Sequence, residues 1–225
     1  MKLIVFGATG GLGQWVWKAA VDAGHEVVTF VRTPSKLDSS DPRHAKLRVV
    51  SGDVMNGDAV REAATGSEVA INCTSPAGGN STIDLARSVV SNASAGGVQR
   101  FYMVGGVGAL WAPETNKQVL VQDWDDAEAM QRYGLSPSIP REMIQKMTKG
   151  HLESMAYLES TGLPHAFLCP GRMQDGPASD SRVVTLDELG GQSAMLVNFG
   201  DIAQVIADDL ERGELIGHRV CVSAE

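Results

Sequence analysis

Basic residues are in the minority in this chain: 19 lysines and arginines against 27 aspartates and glutamates leave a formal net charge of -8. The isoelectric point is near 5.1. Nucleic acids and anionic membranes attract basic patches, so neither is expected as a partner, although a local basic pocket for a phosphate is compatible with this balance. No apolar run reaches the roughly 18 residues that a membrane span needs, and the first apolar run starts almost at Met1, leaving no room for an export signal. The expectation is a cytoplasmic protein. Cysteine is scarce too. Cys73, Cys169 and Cys221 each stand in an apolar, strand-like run without C-x-x-C spacing, and read as small core residues in a reducing compartment. The five histidines are scattered without paired carboxylates, which argues against a metal site.

What the chain does have is alternation. With 225 residues, 43% of them hydrophobic, it is long enough to bury a substantial core. Apolar runs of strand length alternate with segments of helical period, the signature of βαβ units stacked into a parallel sheet. Strands are expected at Lys2 to Phe6, Glu26 to Val31, Leu47 to Ser51, Val69 to Cys73, Arg100 to Val104, Leu163 to Leu168 and His218 to Val222. Helices are expected at Gly11 to Ala23, Gly57 to Ala64, Ser81 to Ala95, Arg141 to Ser160 and Gly200 to Arg212, several of them closed by glycine. No repeat or linker interrupts the chain, so residues 1–225 read as one domain. Its less regular stretches, about 105–140 and 173–200, are expected on the substrate side.

The first strand runs directly into Gly7-Ala8-Thr9-Gly10-Gly11-Leu12-Gly13. A pyrophosphate needs backbone N–H donors at close range, and a glycine-rich turn entering a helix supplies them together with the positive end of the helix dipole. Gly7 permits a tight exit, Gly10 a close approach of backbone to phosphate, and Gly13 close packing of helix on strand. The spacing is G-x-x-G-x-x-G, and with Leu3-Ile4-Val5-Phe6 before it the chain resembles the short-chain dehydrogenase/reductase superfamily in its extended or atypical branch. Gly52-Asp53-Val54 resembles that branch's adenine-contacting motif. Asn72 to Ser75, including Cys73, Thr74 and Ser75, matches its cofactor-lining fourth strand end. Gly162-Leu163-Pro164 with Pro170-Gly171 resembles the stretch that meets the nicotinamide. The resemblance implies an α/β, Rossmann-type, doubly wound and mostly parallel sheet flanked by helices, with a small C-terminal substrate-side segment.

The second strand ends in Val31-Arg32-Thr33-Pro34-Ser35-Lys36, with no carboxylate to bind an adenosine ribose 2′-hydroxyl and repel a 2′-phosphate. NADP(H) is therefore preferred over NAD(H), which stays possible, with Arg32 as leading contact and Lys36 or Thr33 as helpers; the alternative is that Arg32 is merely solvated.

Reductases of the superfamily that act on alcohols and ketones pair a tyrosine with a lysine one turn on, so that the phenol can trade a proton. None of the three tyrosines here has a lysine four residues later. Lys149, Glu153 and Pro170 fit the family register, which puts Gln145 in the tyrosine's place, and an amide cannot deliver a proton. The serine expected after the fifth strand is replaced by Gly105-Gly106. Hydride transfer to a flavin, quinone or other conjugated acceptor needs less proton assistance than carbonyl reduction. The chain is similar to the group of NmrA-like proteins, NADH-flavin reductases and biliverdin reductase B. The expected function is an NADPH-dependent reductase of a small-molecule acceptor with Gly105, Gly106, Gln145 and Lys149 bordering the site. A cofactor-binding sensor without turnover and a non-redox isomerase or cyclase are the alternatives, and the chain could be monomer or homodimer. His151 could serve as acid or base or simply be packed or solvated, and His165 is expected in the core. Trp111, Trp124, Met143, Met147 and Met173 could cover a flat substrate ring, although methionines at helical spacing usually fill core.

Overall fold

The computed structural model describes residues 1–76, 79–112, 117–118, 140–180, 182–188 and 196–224. Among them are strands β1 (Lys2–Phe6), β2 (Glu26–Val31), β3 (Leu47–Ser51), β4 (Val69–Asn72), β5 (Arg100–Val104), β6 (Trp111–Ala112), β7 (Lys117–Gln118), β8 (His165–Leu168), β9 (Arg172–Gln174), β10 (Arg182–Leu186), β11 (Leu196–Asn198) and β12 (Arg219–Ala224). The α-helices are α1 (Gly11–Asp22), α2 (Gly57–Ala64), α3 (Thr82–Ala95), α4 (Arg141–Ser160) and α5 (Phe199–Arg212). Every expected element is present within a few residues of its expected ends. Trp124 and most of the stretch before Pro140 lie outside the described residues.

Eight strands form one sheet in the order β10-β12-β8-β5-β4-β1-β2-β3. All pairs are parallel except β10 with β12. This is the doubly wound Rossmann arrangement. The central strands read as unbroken apolar runs because both of their faces are covered. Leu3, Ile4, Val5 and Phe6 of β1 are all fully buried, whereas β3 at the edge is only half-buried. Ile4, Phe6, Val60, Val89, Phe101 and Phe167 pack on one face beneath α2, α3 and α4. Leu3, Val5, Val16, Trp17, Tyr102, Ile202 and Ile206 pack on the other beneath α1 and α5. The stretch 173–200 supplies the antiparallel edge strand β10 and the parallel pair β9–β11.

Chain direction across the sheet reverses between β1 and β4: β1 pairs with β2 on one side and with β4 on the other. Their loops leave in opposite directions and open a crevice at the strands' carboxyl ends.

One buried polar contact fastens α5 to the sheet. The Tyr102 hydroxyl donates to Asp209 Oδ2 at 2.7 Å, while Oδ1 of the same carboxylate accepts from the Glu214 and Leu215 amides at 2.7 and 3.1 Å. Burial, then the Asp209 carboxylate, pushes the phenol pKa up, so it stays a donor. Tyr102→Phe strips one donor from a buried carboxylate and is expected to cost about 1–3 kcal/mol. Urea unfolding at neutral pH checks this, the expected result being a lower midpoint at unchanged slope.

Candidate functional site

A cleft of about 520 Å³ lies at the carboxyl ends of β1, β2 and β4. The glycine loop supplies Gly7, Thr9 and Gly10; the segment after β2 supplies Arg32, Thr33 and Lys36; the segment after β3 supplies Gly52, Asp53 and Val54; and β4 ends in Cys73, Thr74 and Ser75 along its wall. The fold thus brings residues from four separate loops to one crevice.

The turn at its centre is tightly constrained. Gly7 has φ +76°, and a β-carbon there would stand 2.5 Å from the Cys73 carbonyl oxygen. A β-carbon on Gly13 would overlap the Gly7 carbonyl, so α1 starts directly on the strand exit. The Gly10 amide donates to the Gly7 carbonyl at 2.9 Å, and Gly10, at the N-cap, has no side chain to cap the first turn. The amides of Gly11, Leu12 and Gly13 therefore head a helix without a side-chain cap. Leu12 and Gly13 are buried there, and the Phe199 ring lies over exposed Gly11.

The basic side of the cleft is pinned by its neighbours. Gln14 Nε2 donates to the Lys36 carbonyl at 3.0 Å, Leu37 is buried, and Lys18 pairs with Asp38 at 2.9 Å. Arg32 has no carboxylate partner among the described residues. Arg32 and Lys36 face a single lining carboxylate, Asp53, whose Oδ1 accepts from the Met55 amide at 2.9 Å. Opposite, buried Asn72 accepts from the Thr74 amide at 3.1 Å and the Thr74 hydroxyl at 2.8 Å, shaping the Cys73–Ser75 wall. Burial pushes the Cys73 thiol up to about 12, so it remains protonated. Cys169 and Cys221 are fully buried, and no cluster of metal-ligating side chains occurs among the described residues.

Phe30, Val31, Asn80 and Leu85 also line the cleft. The strand β2, the β4–α3 connection and the first turn of α3 that carry them are legible in the sequence, but nothing in their side chains distinguishes them from core or loop residues.

Other expected residues gather at the adjoining ends of β5 and β8. The Gly105 amide donates to the Leu168 carbonyl at 2.7 Å, the Val107 amide to the Pro170 carbonyl at 3.0 Å, and Gly105 lies against the Phe167 ring. Pro170 and Gly171 sit here and are not among the residues lining the cleft. Gln145 and Lys149 are exposed on α4; the Lys149 side chain is 77% exposed and pairs with Glu153 at 3.8 Å. His151 instead faces the Gly106 backbone. His165 is half-buried, its Nδ1 2.8 Å from the Leu163 carbonyl oxygen, so it is not the core residue expected. Met143, Met147 and Met173 are exposed and do not fill core.

The family model for NAD(P)H-binding proteins matches residues 7–212. The chain is 25% identical to the Bacillus subtilis protein YwnB over 227 residues, covering 100% of this chain and 99% of that one. A solved structure of a candidate NADH-flavin reductase from Streptococcus pneumoniae superposes with a TM-score of 0.76 at 22% identity, covering 100% of both chains. ChuY, an anaerobillin reductase from Escherichia coli O157:H7, superposes with a TM-score of 0.73 at 18% identity, covering 100% of this chain and 97% of its own. These two structural likenesses establish the shared fold.

Desolvation holds the His151 imidazole down at about 4, against an ordinary 6.5. Between those values the unfolded chain binds a proton that the folded one refuses, so this residue's contribution to stability is complete above 6.5 and lost as pH falls towards 4. The fall in Tm on acidification through this window is expected to be smaller in His151→Gln than in the wild type, as read by circular dichroism.

Proposed function

Because the chain belongs to the NAD(P)H-binding family, we propose that it is an NADPH-dependent reductase that passes hydride to a flavin, quinone or other conjugated small molecule. The observation that carries the cofactor reading is the N-cap Gly10, without a side-chain cap, lining a cleft that also holds Arg32 and Lys36 against one carboxylate. In this reading the backbone of Gly7, Thr9 and Gly10 and the amides of Gly11, Leu12 and Gly13 hold the pyrophosphate. Arg32, helped by Lys36 and Thr33, holds the adenosine 2′-phosphate, since a guanidinium forks onto phosphate oxygens. Asp53 and Val54 border the adenine, and Cys73, Thr74 and Ser75 follow the cofactor towards its nicotinamide. Pro170, Gly171, Gly105 and Gly106 bound the reacting end, with Gln145 and Lys149 on the helix above.

Bound NADPH supplies the hydride. In this reading the chain's own work is positioning and exclusion of water, since no tyrosine in the sequence has a lysine four residues on to help it move a proton. The reductase names of the streptococcal and E. coli structures support this chemistry at the level of the group. The exposed methionines Met143, Met147 and Met173 offer polarizable surface to a flat acceptor.

Two measurements test the proposal. Arg32→Ala is expected to weaken NADPH by about 10- to 100-fold in calorimetry while leaving NADH nearly unchanged, the loss of one charge-assisted contact. Equal weakening of both removes the 2′-phosphate role. The purified protein with NADPH and FMN, menadione or a bilin is expected to lose absorbance at the nicotinamide band; tight NADPH binding without oxidation by any of them makes the protein a cofactor-binding sensor instead.

A further inference from the structure

The α4 side chain that reaches the end of β5 is His151. A β-carbon on Gly106 would stand 2.9 Å from its Nδ1, so the imidazole is seated on bare backbone two residues past the strand. One residue earlier, a β-carbon on Gly150 would lie 2.9 Å from Thr82 Oγ1. Thr82 opens α3 between Asn80 and Leu85, both of which line the cleft. Through Gly150, then, α4 abuts the cleft wall, and His151 is placed just beyond it, beside β5, the strand next to β4.

Helical geometry separates this residue from Lys149. Two residues along an α-helix amount to a turn of about 200°, so with His151 facing Gly106, Lys149 points outward, as its ion pair with Glu153 and its exposure record. Met147 and Met143 stand one and two turns before His151 on the same stripe, 43% and 56% exposed. The imidazole is partly accessible, and among the described residues nothing hydrogen-bonds or pairs with it.

Resting on the reductase reading above, we propose that His151 is a catalytic residue that donates a hydrogen bond to a carbonyl oxygen of a conjugated, ring-shaped acceptor lying along Met143 and Met147. As the acceptor carbon takes hydride, its π electron pair shifts to that oxygen. The His151 N–H holds the charge formed there, and a solvent proton completes the hydroxyl. NADPH, one proton and the acceptor thus give NADP⁺ and the two-electron-reduced acceptor. A neutral imidazole suits this part: it stabilises the oxygen as a donor without having to surrender its proton. Burial keeps His151 neutral at physiological pH.

The test uses menadione as the probe and two variants, His151→Leu and His151→Gln, the second keeping an N–H. His151→Leu is expected to lower turnover about 10- to 100-fold, to raise the Kd of menadione for the NADP⁺-loaded protein in calorimetry, and to leave the NADPH Kd unchanged. His151→Gln is expected to recover much of both losses. Full turnover in the leucine variant, equal losses in the two variants, or weakened NADPH binding accompanying the rate loss would each overturn the assignment. Wild-type protein that binds NADPH but reduces no acceptor overturns the reductase reading and this inference together; turnover indifferent to His151 overturns the inference alone.

Discussion

The approach of the first strand's exit to the end of β4 governs the rest of the architecture. Gly7 rests on the Cys73–Thr74 peptide with no room for a side chain, and Gly13 rests on Gly7 in turn. That double contact sets the start of α1 directly above the sheet, with Gly7, Thr9 and Gly10 of the preceding turn lining the cleft. It also sets the packing distance for the α1 face, where Val16, Trp17 and Ala20 join the core shared with α5. A side chain at either glycine would therefore disturb the fold and the candidate site through the same displacement.

Charge is distributed with comparable economy. The chain carries an excess of carboxylates, yet the lining of the cleft holds two cations and one anion. Acidic groups near the second strand are occupied elsewhere: Asp38 and Asp41 pair with Lys18, and Asp41 and Asp22 with Arg43. Hydrogen bonds from the Arg43 side chain and backbone, against the opposing effect of burial, keep the Asp41 carboxyl well below the usual range, so it stays ionised at neutral pH. Local sign in the crevice differs from the sign of the whole, and a phosphate ligand responds to the local field.

Beyond the cleft, α4 presents two different faces. Lys149 stands on its outer side, while His151, two residues on, meets Gly106. The bare backbone of Gly105 and Gly106 admits Phe167 and His151 where larger residues would exclude them.

The order of strands and helices, the glycine loop and the cation after β2 could be read along the chain, because each rests on local periodicity or on short spacing within one βαβ unit. Glu26–Val31, Leu47–Ser51 and Gly57–Ala64 need nothing beyond their own patterns. The chain alone could not reveal that β10 returns antiparallel to β12, that Phe199 covers Gly11, that His165 is half-exposed, or which face of α4 looks inward. Those outcomes depend on contacts between residues distant in sequence, such as Gly106 with His151 and Gly7 with Cys73. Local propensity limits which elements form; only their packing determines which side chains share a crevice.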